Sequence, residues 1–169
     1  MKPRLPHILL LAAVWVWFTA ILLPSLFMSV PAFAPAGELL YRAFSLICHQ
    51  YDSRSLFIAG QKLAVCSRCS AIYFGFAIGA TAWCVYGGSN SKNRRANHQF
   101  HPGLHWLIGV LPMVVDVLLD TIKIYPSSFT SRVLTGLFFG LVASAILFPH
   151  LVEAISEIRT IAFRKSAYE

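Results

Sequence analysis

From Ile8 to Val30 the chain passes without a charged residue. That run is as long as the hydrocarbon core of a bilayer is thick, since about 20 apolar residues in a helix cross it. Three more apolar stretches follow, over roughly 64–86, 103–122 and 131–151. Inside lipid the backbone has no water to bond, so each stretch must satisfy its own N–H and C=O groups as a helix. Charged residues make up only 12% of the chain, against roughly 25% in soluble domains. The expected fold is therefore all-α: one integral membrane domain over 1–169, a four-helix transmembrane bundle with spans near 8–30, 64–86, 103–122 and 131–151. Ser29 to Ala34 ends in an Ala-x-Ala pattern, which would suit a cleaved signal peptide. The apolar core of a signal peptide is only about 7–15 residues long, so the first run is read as a retained span. Either reading puts the following residues outside the cytoplasm.

Pro31–Gly37 is a proline-rich turn. Glu38–Ile47 is too short to span; Leu39, Leu40, Phe44, Leu46 and Ile47 fall broadly on one side and Glu38 and Arg42 on the other. This pattern predicts a short interfacial amphipathic helix. His49–Leu63 is polar and reads as an external loop, and Tyr125-Pro126-Ser127-Ser128 reads as a tight turn. With both termini cytoplasmic, the inner side carries eight cations: Lys2, Arg4, Lys92, Arg94, Arg95, Arg159, Arg164 and Lys165. The outer side carries six: Arg42, Arg54, Lys62, Arg68, Lys123 and Arg132. The excess of positive charge inside sets this orientation, and the expected location is the cell inner (plasma) membrane. The net charge of +7 then serves loops and anionic headgroups. The expected partner is the lipid bilayer rather than nucleic acid, and no protein partner is identified.

In this topology the third and fourth spans bring polar residues to the outer end. Asp116 and Asp120, four apart, share a helix face, and Arg132 opens the fourth span. Ionisable groups at membrane depth are costly and commonly functional, although a buried Asp–Arg pair can also serve only to lock two helices. Ala71, Gly75 and Gly79, and likewise Gly136, Gly140 and Ser144, recur at a spacing of four. Small residues at this interval allow close backbone approach in lipid, so both faces are expected to be buried, against each other or in a dimer.

Cys48, Cys66 and Cys69 fall within twenty-two residues that also hold His49. Three chemistries fit them. A metal site would use Cys48, His49, Cys66 and Cys69 as a Cys3His set for zinc or another divalent metal. Asp116 is the alternative fourth donor, because the adjacent Cys48 and His49 are awkward joint ligands. Gln50, Arg54, Arg68, Asp120 and Arg132 would support the site. A thiol–disulfide centre would use Cys66-Ser67-Arg68-Cys69 at a helix N-terminus, where the dipole and a cation stabilise thiolate, with a quinone or thiol partner and no cofactor. A structural disulfide would join Cys48 to Cys66 or Cys69. Cys84 reads as a small hydrophobe. His98, His101 and His105 read as interfacial, as do His7 and His150. The sequence has no phosphate-cradling glycine loop, nucleophile elbow or His-Glu-x-x-His, so it assigns no reaction.

Cys48-His49-Gln50, Arg54-Ser55, Gly60, Cys66-Ser67-Arg68-Cys69, Tyr73, Gly75, Pro112-Met113, Asp116, Arg132 and Gly136 together resemble a family of small prokaryotic integral membrane proteins of unknown function. Its signature is Cys-His-Gln, Arg-Ser, Cys-x-Arg-Cys and Pro-Met-x-x-Asp. The resemblance runs from Cys48 to about Gly140. It implies a multi-pass helical topology and no particular activity. The family favours Gly after the aspartate and Gln four residues on, where this chain has Val117 and Asp120. It favours Thr-Gly where this chain has Ser70-Ala71.

Overall fold

A computed structural model describes residues 5–87, 102–125 and 127–166. Helix α1 (Leu5–Met28) ends at a turn closed by Ser29 and Val30, whose amides bond back to Leu26 and Phe27. Pro31 opens a single 3-10 turn, and α2 (Ala34–Ser45) folds back over the end of α1. Gly37 allows this fold, because a Cβ there would sit 3.1 Å from Met28. Strands β1 (Ser55–Ile58) and β2 (Gln61–Cys66) pair antiparallel and lead directly into α3 (Ser67–Ala82), which continues through one wider turn to Gly87. Helices α4 (Pro102–Thr121) and α5 (Phe129–Ser166) complete the fold.

Three helical segments are long and apolar enough to cross a membrane: Leu5–Met28, Ser67–Tyr86 and Phe129–Ile158. Many of their large apolar side chains are exposed, among them Ile8, Val16, Phe74, Leu134 and Phe138. A soluble protein would not leave such a surface to water, whereas lipid covers it at no cost.

Ring and glycine contacts give the helix directions. His7 stacks on Trp83 at 5.5 Å between centroids, Trp15 Nε1 donates to Thr81 Oγ1 at 3.1 Å, and Trp17 meets Tyr73 at 6.1 Å. Helix α1 therefore runs antiparallel to α3. Gly136 lies against the Arg68 carbonyl and Ala71, Gly140 against Ile72 and Phe76, and Gly79 against Ser144. Helices α3 and α5 thus run parallel, with the two small-residue stripes facing each other as the spacing predicts. A Cβ on Gly75 would come within 2.5 Å of the Leu137 carbonyl, so the backbones touch where side chains are missing. Helix α4 runs antiparallel to α5: Asp120 lies 3.8 Å from Arg132 near the connection, and Gly109 sits against Val142 further along both helices.

The structure corrects the all-helical expectation at one place. The segment read as a loop over His49–Leu63 contains a β-hairpin, and α3 begins at Ser67 rather than near Ala64. Ile58 pairs with Gln61, so Ala59-Gly60 is a two-residue turn with φ of +52° and +76°. Both left-handed values are what a type I′ hairpin turn requires. Leu63, Ala64 and Val65 are all buried, because β2 is tucked between the ends of α1 and α2. The fully buried Ser25 hydroxyl donates to the Lys62 carbonyl at 2.8 Å, and Tyr41 Oη donates to the same oxygen. At the far end, α5 continues as helix to Ser166, well past the expected 151. Lys92, Arg94, Arg95, His98, His101 and Pro126 lie outside the described residues.

Candidate functional site

The site forms where α2 ends and where β2 gives way to α3. Helix α2 closes with the Ile47 and Cys48 amides both bonding to the Phe44 carbonyl at 3.1 Å, and this tight exit turns Cys48 inward. The hairpin register sets Cys66 opposite Ser55, at the point where β2 becomes α3. Cys66 is then the N-cap of α3, with extended backbone (φ −66°, ψ 163°). Cys69 follows three residues on and shares its side of the first turn. The result is a group of three thiols, Cys48, Cys66 and Cys69, whose Sγ atoms all lie within 4.8 Å of one another. All three are free thiols.

Cys48 is 7% exposed, and its Sγ accepts the Cys66 backbone N–H at 3.2 Å. The Cys66 and Cys69 thiols also donate to it, which pulls the Cys48 thiol far below its usual range against the opposing effect of burial. Around the group pack Ile21, Phe44, Ala64 and Val65, with Tyr41 and Tyr73 at its edge.

His49 points elsewhere. Its ring stacks on Tyr51 at 5.7 Å, and it is not part of the three-thiol group. Gln50 anchors this loop: it adopts φ +51°, and its Nε2 donates to the Tyr41 carbonyl at 2.9 Å. Lys62 Nζ bonds to Asp52 Oδ1 at 2.7 Å and to the Gln50 carbonyl at 3.3 Å. The loop between α2 and the hairpin is thereby held at both ends.

The expected acid–base residues form a second, contiguous layer. Arg68, in the first turn of α3, pairs with Asp116 of α4; their side chains are 18% and 8% exposed. Arg54 Nη2 lies 3.2 Å, and Arg132 Nη2 3.8 Å, from Asp120 Oδ2. Asp120 also accepts the Ser127 N–H at 3.1 Å, and Arg132 Nε donates to Ser127 Oγ at 2.7 Å. Asp116, Asp120 and Arg132 thus lie at the thiol end of the bundle. Asp116, like His49, stays outside the thiol group. Within this layer the buried Ser67 Oγ, Ser70 Oγ and Arg68 Nε have no hydrogen-bond partner among the described residues.

Sequence reasoning missed Ser25 and Tyr41, which hold the hairpin through a backbone carbonyl. That interaction involves no side-chain type on the accepting side and leaves no mark in residue spacing.

The family described as "Predicted membrane protein (DUF2085)" matches residues 48–146, which begin at the first thiol and take in the whole polar layer. The uncharacterized protein MJ1492 of Methanocaldococcus jannaschii is 32% identical over 116 residues, covering 69% of this chain and 70% of the relative. No solved structure matches. The family match spans more than half the chain and contains every residue of both layers, so this chain belongs to the DUF2085 family of predicted membrane proteins.

Proposed function

We propose that this is a multi-pass membrane protein that binds a metal ion on Cys48, Cys66 and Cys69. The observation that carries the reading is the convergence of three free thiols within 4.8 Å from two separate chain segments, the exit of α2 and the start of α3. Thiolate sulfurs are strong donors for zinc and for softer ions. The proposed assembly is a four-span bundle in which α4, 20 residues and about 30 Å long, is the fourth span. Helix α2 lies in the interface, both termini are cytoplasmic, and the thiols face the outside of the plasma membrane. His49 or Asp116 would have to leave its present partner to act as a further ligand.

The same proximity supports a second reading. A Cys66–Cys69 pair at a helix N-terminus, with Cys48 within reach, suits thiol–disulfide exchange with a quinone or a thiol partner. Metal analysis of the purified, reduced protein separates the two. About one equivalent of metal, lost in Cys66→Ser, supports binding. A metal-free protein whose Cys66–Cys69 disulfide is reduced by dithiothreitol and restored by quinone supports exchange.

A further inference from the structure

We infer that the ion held by Cys48, Cys66 and Cys69 is a soft, low-coordinate one, monovalent copper, rather than zinc; this rests on the metal-binding reading above. Zinc in proteins is almost always four-coordinate, and with three protein ligands it takes a water or substrate as the fourth. The thiol group contains three donors, and no other His, Cys, Asp or Glu joins it among the described residues. The two fourth donors that the sequence suggests have other partners. Asp116 is paired to Arg68, and the His49 ring is stacked on Tyr51.

A zinc-bound water would in turn need polar partners. The apolar side chains packed against the group are Ile21, Phe44, Ala64 and Val65, with Tyr73 and Tyr41 beside it. Tyr41 Oη is already engaged by the Lys62 carbonyl. Monovalent copper is satisfied by three thiolates in a plane, with no fourth ligand and no water. An apolar shell also shields it from oxidation. Thiolate is among the soft donors that bind it well. Copper with three thiolates carries two negative charges. The positive end of α3, whose N-cap is Cys66, and the Cys66 N–H donated to Cys48 offset part of that charge.

The test uses the full-length protein in detergent, reduced and handled without oxygen. Monovalent copper is titrated against a chromophoric copper(I) chelator and zinc against a chromophoric zinc chelator. X-ray absorption then counts the ligands of the bound ion. The expected result is one copper per chain with three sulfur neighbours and no nitrogen or oxygen, displacing zinc already bound. Cys84→Ser should leave copper binding unchanged, and Cys48→Ser should weaken it by more than about 100-fold. The ligand count is read on the unaltered protein, so it stands even if Cys48→Ser misfolds. Zinc that resists displacement and shows a four-ligand shell overturns the copper assignment and leaves the metal reading intact. Failure of both ions to bind overturns both.

Discussion

Arg68 and Asp116, 48 residues apart in sequence, form an ion pair between the first turn of α3 and the later turns of α4. Arg68 lies between Cys66 and Cys69 in the chain, so the pair fixes the helix turn that presents two of the three thiols. Removing one partner leaves an uncompensated charge in a low-dielectric setting, whereas replacing both with apolar residues of similar volume does not. Asp116→Ala should lower unfolding stability in detergent by about 3–5 kcal/mol. The double variant Arg68→Met/Asp116→Leu should recover most of that loss. Thermal unfolding followed by circular dichroism checks both; equal damage from single and double variants would show the pair to be replaceable only by itself.

The α3–α5 seam makes a sharper steric prediction. A Cβ on Gly140 meets the Ile72 carbonyl, and one on Gly136 lies 2.6 Å from the Arg68 carbonyl. Backbone cannot move aside as a flexible side chain can. Gly140→Ala should therefore cost about 1–3 kcal/mol. Gly103→Ala, where nothing lies within 4 Å, should be neutral or stabilise by up to about 1 kcal/mol. The contrast between the two, measured by the same thermal assay, isolates packing from helix propensity.

The hairpin turn carries correctable strain. Ala59 is held at φ +52° beside Gly60 at +76°. Asparagine tolerates the left-handed region far better than alanine, and Asn-Gly is the preferred pair for this turn. Ala59→Asn should stabilise the protein by about 0.5–1 kcal/mol. Gly60→Val should destabilise it, because a β-branched residue resists positive φ. Chemical unfolding of the two variants against the unaltered chain decides the matter.

Membrane orientation can be tested without reference to any metal. Asp52, in the loop beside the thiols, is exposed, and so is Glu153 near the opposite end of α5. In a background with all four native cysteines replaced by serine, Asp52→Cys should react with a membrane-impermeant maleimide added to intact cells. Glu153→Cys should react only after the cells are opened. The reverse pattern would place the thiol cluster in the cytoplasm.

The helical frame and the common location of the polar residues were legible in the sequence for clear physical reasons. Lipid demands long apolar helices, and small residues at a spacing of four mark a close seam; Gly75, Gly79, Gly136 and Gly140 meet as that rule requires. Asp116 and Arg132 share one end because the short connection between α4 and α5 returns the chain to it. The hairpin was not legible. Its β2 strand is buried on both faces, so Leu63-Ala64-Val65 merges with the start of the next apolar run and shows no alternation. An Asp–Arg pair between α4 and α5 does form, as Asp120 with Arg132, but the partner of Asp116 was hidden: Arg68 takes it, a choice made by the phase between α3 and α4 and not by spacing within either. His49 adjoins Cys48 in the chain, yet Cys48 is buried while His49 is exposed and stacks on Tyr51, a difference that adjacency alone does not reveal.

Cadmium-113 nuclear magnetic resonance on the full-length protein counts the thiolates around one bound ion, which is the central claim itself. One equivalent of cadmium should give a single resonance in the region of three-thiolate sites, absent in each of Cys48→Ser, Cys66→Ser and Cys69→Ser and unmoved in Cys84→Ser. Cadmium that fails to bind, or a resonance in the nitrogen–oxygen region that persists when Cys48 is replaced, would contradict the account.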